Sequence, residues 1–504
     1  GTSAHELFPL LRPTRSRDRR RSVACGAVGT LRRALDVVAV RTLRTHDALV
    51  EHLAEVGADL PVAAGVNPGG PLARPLPVLG RDVANRFAVL PMEGWDGTAD
   101  GRPTDLVRRR WRRFGASGAG LVWAEATAVR PDGRANPRQL VIDEATVDDL
   151  AALRAELVAA AVDAGHPPPL VGLQLTHSGR WSRPDGEPRP RVAYRHPLLD
   201  RRGPVDDRTV LTDAELDDLV ATFVEAAGLA ARAGFAYVDV KHCHGYLLHE
   251  LLTGHDRPGP YGGDLDGRSR FLRLVCEGVR DRHPELGLAL RLSAFDVVPH
   301  APGDDDRGRP EAAPGDGYRL AFGGDGTGAG IDLGEPIELL RRAADWGVGL
   351  VSVTAGSPYY CPHVQRPAAF PPSDGYLPPR DPFVEVARLA AAARDVAAAV
   401  PDVAVVASGL SYAQQWLAHV AEPLVEAAPN LLAGYGRMAL SYPDLPADVL
   451  AGSTLDVRRI CRTLSDCTTA PRMGLVSGCY PYDPHYKALP EREVLVAAKR
   501  GDGR

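Results

Sequence analysis

The chain has 504 residues, 44% of them hydrophobic, with a formal charge of −5 and a pI near 6.3. That is enough apolar material for one large α/β domain or two to three ordinary ones, and the weakly acidic balance excludes broad attraction to nucleic acid or an anionic membrane, so a small molecule is the expected partner. Seven cysteines scattered through so long a chain do not form the framework of a small secreted domain, which predicts reduced thiols and a cytoplasmic setting.

Residues 1–74 read as a basic, partly irregular N-terminal extension. No uninterrupted apolar run follows Arg20 and Arg21, so no signal peptide is expected. One helix is predicted near Thr45 to Val56, and a Pro/Gly linker, GVNPGGPLARPLP, closes the segment. The main domain is expected over 75–455, where short apolar runs alternate with helical ones: RFAVLPM, GLVWAEATAV, PLVGLQLTH, FAYVDVKH, LALRLSA, VGLVSVTAG, VAVVASG and NLLAGYGR. Thr212 to Glu215, reading TDAE, is a capping box that opens a helix predicted to run to Gly234. Eight strand and helix units, none followed by GxGxxG, point to an α/β fold of the (β/α)8 TIM-barrel type more than to an open doubly wound sheet. The Gly, Asp and Pro-rich stretch from Pro299 to Gly334 reads as a loop insertion after the fifth strand, on the catalytic face. Residues 456–504 form a short tail containing cysteines, and no stretch of the chain reaches the roughly 18 apolar residues of a membrane span.

Barrel active sites form where strands end, and polar residues collect there: Met92 and Glu93 after the first strand, Gln174 and His177 on the third, Lys241 to Tyr246 after the fourth, Arg291 on the fifth, Gly436 and Arg437 on the eighth. A single buried Arg or Gln is more often a satisfied structural group. Five coincident strand ends favour a site.

The segments NRFAVLPM, FGASGAGLVWAEATAV, GLQLTHSGR, HGYLLHELL with YGGDLDGRSRFL, LRLSA and AGYGRMAL resemble those of the Old Yellow Enzyme family of FMN-dependent NADH:flavin oxidoreductases, over roughly Leu79 to Leu450. The resemblance implies FMN as cofactor and NADH or NADPH as reductant. Pro91 and Met92 would pack under the flavin ring, with Glu93 near its C4 carbonyl. Gln174 would meet the pyrimidine edge, which needs both a donor and an acceptor. Arg291 would stabilise the charge of reduced flavin near N1 and O2. Gly409, Gly436 and Arg437 would hold the ribityl phosphate. Lys241 and His244 would bind the substrate's carbonyl or phenolate oxygen and Tyr246 would protonate the α-carbon, while hydride passes from flavin N5 to the β-carbon of an enone or dienoyl-like alkene. Two positions depart from the family pattern: Lys241 stands where histidine is common, and Glu93 where Thr or Cys is usual. A carboxylate there would repel reduced flavin unless protonated or paired, for instance with Lys241.

The neighbours read as scaffold: His242 and Cys243 as packing, His249 as a loop brace, His177 and Arg180 as groups that order the loop after the third strand. The tail is similar to the cluster region of the dienoyl-CoA-reductase and trimethylamine-dehydrogenase branch, whose spacing is C-x2-C-x3-C-x11-C. Cys467 and Cys479 fit its last two positions, Cys461 is out of register by one, and a cubane wants four thiolates, so an iron–sulfur cluster is expected to be degenerate. A flavin dehydrogenase or demethylase passing electrons to such a centre or to a partner is the same-fold alternative. Others are a zinc-dependent barrel hydrolase using His242 and His244 with His177, and a non-catalytic sensor. The expected partner is a small-molecule substrate, with neither nucleic acid nor membrane, and the reading leaves room for a homo-oligomer.

Overall fold

The computed structural model describes residues 37–311 and 317–500; the basic run with Arg20 and Arg21 lies outside the described residues, as do 312–316 of the loop after the fifth strand. Eight strands, β1 (Phe87–Val89), β2 (Leu121–Ala128), β3 (Leu170–Thr176), β4 (Tyr237–Val240), β5 (Gly287–Phe295), β6 (Val348–Ala355), β7 (Ala404–Ala407) and β8 (Leu431–Tyr435), close into one parallel barrel. Seven fall within one of the eight apolar runs and β5 extends one residue beyond LALRLSA at each end, and the expected (β/α)8 architecture is borne out. Its helices are α1 (Asp105–Gly115), α2 (Val147–Asp163), α3 (Asp213–Arg232), α4 (Leu265–Arg282), α5 (Gly334–Asp345), α6 (Pro382–Ala399), α7 (Leu417–Ala427) and α8 (Arg437–Ser441).

The runs are continuous rather than alternating because strands here are covered on both faces: every residue of β2 and β3 is buried, as a parallel sheet under helices demands. Inside the barrel Trp123 and Tyr237 pack edge to face at 5.4 Å, within a cluster that includes Leu121, Leu350, Val406 and Leu432. Burying each such side chain contributes about 1.5–3 kcal/mol. Gly172 is required beside them, since a Cβ there would lie 2.1 Å from the Tyr237 ring. An antiparallel hairpin, Leu76–Val78 with Arg81–Val83, packs its Leu79 against this cluster. The capping box forms as read: the Thr212 hydroxyl accepts from the Glu215 N–H at 3.3 Å and the Glu215 carboxylate accepts from the Thr212 N–H at 2.8 Å.

The described part of the N-terminal extension is not a loose appendage. Its helix, His46–Glu55, buries Leu49 and Leu53, and the segment is tied to the turn before α7 and to α7 itself: Trp416 Nε1 donates to the Leu43 carbonyl (2.9 Å), Gln415 to that of Val40 (2.8 Å), and the Ala63 N–H to that of His419 (2.8 Å). The tail is likewise laid against the barrel. Asp483, fully buried, accepts from Arg109 (2.8 Å) and Arg113 (2.6 Å) of α1, and the Ser477 N–H donates to the Gly94 carbonyl at 2.7 Å. No described helix is long and apolar enough to cross a membrane.

Candidate active site

Strand ends place polar side chains around one mouth of the barrel, and there the chain encloses a cavity of about 270 Å3. All eleven expected residues line it: Pro91, Met92 and Glu93 beyond β1, Gln174 on β3, Lys241, His244 and Tyr246 beyond β4, Arg291 on β5, Gly409 beyond β7, Gly436 and Arg437 beyond β8. An outer cleft of about 790 Å3 shares Trp95, Pro358, Tyr359, Pro471 and Arg472 with it. A larger surface cleft, about 900 Å3 between Tyr194, Arg257 and Tyr318, contains none of the eleven.

The floor is built by register. Gln174 of β3 pairs with Asp239 of β4, so the two side chains meet: Gln174 Nε2 donates to Asp239 Oδ2. The same carboxylate accepts from Trp123 Nε1 at 2.9 Å and from the Arg291 N–H at 2.6 Å. Burial pushes Asp239 up to about 6 against these three donors. One end of the Gln174 amide is thus committed to the protein, and its carbonyl is left for a ligand.

Above this floor Lys241 and Arg291 are 5% and 6% exposed. Arg291 Nε is buried without a partner. Lys241 Nζ lies over the Tyr246 ring, 3.9 Å from its centroid, and burial lowers its pKa, opposed by nearby acidic groups including Glu93. Glu93 is pushed up to about 7, first by burial and against the Lys241 charge. Its hydrogen-bond partner is Asn136, at 2.9 Å, rather than the lysine that the sequence suggested. Burial thus brings this carboxyl to the edge of protonation near neutral pH, which lessens its repulsion of an anion.

His244 has φ 67°, a conformation that costs a non-glycine residue about 1 kcal/mol or more. Two serines impose it: Ser293 Oγ accepts the His244 N–H at 3.0 Å and Ser357 Oγ donates to its carbonyl at 2.8 Å. Burial, then the charges of Arg291 and Lys241, hold the imidazole well below its usual range; it is neutral. Tyr246 lies against Tyr359, the two hydroxyls 3.0 Å apart. Tyr359 stacks on Trp181 at 4.3 Å, and Trp181 Nε1 donates to the Gly245 carbonyl at 3.0 Å. Burial lifts the Tyr246 phenol well above its ordinary pKa, so it carries its proton at neutral pH.

At the other end, Arg437 gives Nη2 to the Pro367 carbonyl (2.7 Å), while its Nη1 is buried without a partner. Gly409 has φ 86° and precedes the turn Leu410–Trp416, and a Cβ at Gly436 would meet Met92 Sδ at 2.9 Å. Backbone without side chains beside an orphaned guanidinium suits a phosphate. Together with a half-committed amide and the unpaired Arg291, the donor set fits a planar heterocycle with an anionic tail.

Cys461, Cys467 and Cys479 line a small cavity of about 20 Å3 next to Arg437. Among the described residues no group of three or more His, Cys, Asp or Glu side chains is placed to hold a metal ion. The three cysteines are thus not set as a ligand group, and the zinc reading loses its ligands: His242 turns Nδ1 to the Val240 carbonyl at 2.8 Å, and His177 Nδ1 accepts the Gly179 N–H at 3.1 Å. His249 braces its loop by accepting the Gly245 N–H at 2.9 Å, and Arg180 ties Tyr194, Asp200 and Glu250 together. The sequence reading missed Asp239, Asn136, Trp95, Trp181, Tyr359, Gln365, Arg366 and Arg472. Asp239 had a signal, two residues before Lys241 at the end of the same strand; the others sit on loops or on short helical turns such as Gly179–Trp181, Pro362–Gln365 and Asp466–Arg472.

Residues 71–306 match the NADH:flavin oxidoreductase / NADH oxidase family. An NADPH dehydrogenase of Clostridium acetobutylicum is 30% identical over 217 residues, which make up 42% of this chain and 60% of that relative; the match spans less than two thirds of the relative's length. Two solved structures share the fold. One is a 2-naphthoyl-CoA reductase complex, with TM-score 0.61 and 18% identity over 83% of this chain and 58% of that one. The other is an Old Yellow Enzyme from a Pichia species, with TM-score 0.54 and 20% identity over 83% and 96%.

Proposed function

We propose, from the match of residues 71–306 to the NADH:flavin oxidoreductase / NADH oxidase family, that this chain is an FMN-dependent oxidoreductase of the cytoplasm, reduced by NADH or NADPH and reoxidised by a small electron-poor alkene. The observation that carries the reading is the convergence of eleven residues from six strand ends on one cavity in which Arg291 Nε and Arg437 Nη1 are buried without partners. Buried guanidinium groups of this kind are costly unless an anion meets them. FMN would bring a phosphate to Arg437 and, when reduced, a negative ring to Arg291.

When bound, the flavin supplies a carrier that accepts a hydride from nicotinamide and releases it to carbon. The chain's own residues do the rest. Gln174, oriented by Asp239, fixes the ring's pyrimidine edge. Gly409, Gly436 and Arg437 hold its phosphate, and Pro91 and Met92 support its face. Neutral His244 donates a hydrogen bond to the acceptor's oxygen, Lys241 supplies charge beside it, and the pair stabilise the oxyanion as it develops. Tyr246, kept protonated by burial, gives its proton to the α-carbon, and Tyr359 stands at hydrogen-bond distance from the phenol that loses it.

Anaerobic titration of the purified protein with NADH and then NADPH, followed in the visible spectrum, tests this reading. Flavin bands that bleach support it; a protein that stays colourless after incubation with FMN refutes it.

A further inference from the structure

The outer cleft, about 790 Å3, exceeds what a small alkene fills and suits a ligand of several rings. It opens onto the inner cavity through Trp95, Pro358, Tyr359, Pro471 and Arg472, which line both. Although the whole chain carries a charge of −5, the cleft is lined by four arginines, Arg138, Arg183, Arg202 and Arg472, against two carboxylates, Glu311 and Asp374. Both carboxylates are spent, Glu311 on Arg202 and Asp374 on Arg472 at 2.5 Å. Arg138 and Arg183 are exposed, and among the described residues neither guanidinium has a hydrogen-bond or ion-pair partner.

One buried residue sets both loops. Arg134 bends the chain around Arg138 by donating to the Pro137 carbonyl at 2.6 Å and to that of Gln139 at 2.7 Å, while its own carbonyl accepts the Arg183 N–H at 2.8 Å. The first loop is also fixed to the inner site: Asn136 accepts the Arg138 N–H at 2.9 Å and donates to Glu93 at 2.9 Å. Outward from the flavin cavity the chain therefore offers Tyr359 stacked on Trp181, then Arg472 where the two cavities join, then two free guanidinium groups on the outer cleft alone. NADPH has matching parts in the same order: a nicotinamide, a pyrophosphate, and an adenosine whose ribose carries a 2′-phosphate. NADH lacks only that phosphate. A guanidinium recognises a phosphate through charge-assisted, bidentate hydrogen bonds.

Resting on the flavin reading, we propose that the outer cleft holds the adenosine half of the reductant and that Arg138 and Arg183 clasp its 2′-phosphate, so that the protein takes NADPH in preference to NADH.

The test follows bleaching of the FMN-loaded protein by stopped flow at increasing NADPH or NADH, which gives a dissociation constant for each. NADPH is expected to bind at least about tenfold more tightly than NADH, with a preference that narrows at high salt because both arginines are exposed. Combining Arg138→Gln with Arg183→Gln should bring the two reductants to within roughly twofold of each other, chiefly by weakening NADPH. Neither side chain has a partner to lose, so the substitutions leave the fold's own contacts intact. Equal affinity of the wild type for both reductants overturns the proposal, as does a double variant that keeps the preference. A double variant that loses NADH and NADPH to the same extent also overturns it, by assigning the arginines to the pyrophosphate. A protein that takes up no FMN sinks the flavin reading instead. Tryptophan fluorescence still reads the cleft there, since Trp95 and Trp181 line it: tighter binding of adenosine 2′,5′-bisphosphate than of adenosine 5′-phosphate, by about tenfold, supports the phosphate seat, and equal binding overturns it.

Discussion

Asp239→Asn changes polarity at constant shape directly beneath the cavity floor. The wild-type carboxylate accepts from Gln174, Trp123 and the Arg291 backbone, and Asn offers one oxygen and one NH2 in its place. With the oxygen toward Arg291, the NH2 opposes the Gln174 NH2, and the glutamine must rotate its amide, presenting a donor where the cavity had an acceptor. With the oxygen toward Gln174, the NH2 opposes the Arg291 N–H. Losing a hydrogen bond to a charged acceptor costs about 1.5–3 kcal/mol. That cost is offset at neutral pH, because the wild type keeps ionised an acid that burial lifts to about 6, a penalty on the order of 3 kcal/mol. Folding stability at pH 7 should therefore change little, by roughly 1 kcal/mol or less. Flavin binding has no such compensation: a rotated Gln174 forfeits one hydrogen bond and opposes another, about 2 kcal/mol, or roughly thirtyfold in FMN affinity. Quenching of FMN fluorescence on titration into apoprotein measures it. An affinity within about threefold of wild type refutes the orienting role. The pH dependence gives a second check. An acid with a raised native pKa stabilises the fold at low pH, and that contribution is lost as pH rises from about 4 through about 6. Denaturation midpoints of the wild type should show this decline relative to Asp239→Asn.

Arg437→Ala should weaken FMN retention by about tenfold or more, because a desolvated phosphate loses its cation; full occupancy after purification would remove Arg437 from the site. Tyr246→Phe should leave bleaching by NADH or NADPH at the wild-type rate while slowing reoxidation by an alkene by roughly 10²-fold or more, and stopped-flow traces in which both phases slow equally contradict the proton-donor role. Glu93 ionises as pH climbs through about 7, adding repulsion toward a negatively charged reduced flavin, so the flavin midpoint potential should fall more steeply above that pH in the wild type than in Glu93→Gln. Identical profiles for the two proteins would show that Glu93 does not face the ligand.

Much of the scaffold was legible because a parallel barrel buries its strands on both faces: the eight apolar runs are continuous, and Thr212 with Glu215 declares a helix start through contacts three residues apart. The strand-end residues from Pro91 to Arg437 were legible as a set because a barrel delivers every strand end to one mouth, wherever the residues lie in the chain. Local signal went no further than that. Nothing local says that Gln174 will find Asp239, since their meeting follows from the β3–β4 register. Nothing local says that residues 37–66 will grip α7, or that the tail will carry Thr468 and Arg472 to the cavity beside Arg366; such packing depends on surfaces complementary only after the barrel has closed. Composition, periodicity and strand-end chemistry determined the fold class and gathered a candidate site from the sequence alone. Tertiary structure decided how far the pKa values of Glu93, His244 and Arg366 move from their ordinary ranges, because burial and the field of neighbours far away in sequence exist only once the chain is folded.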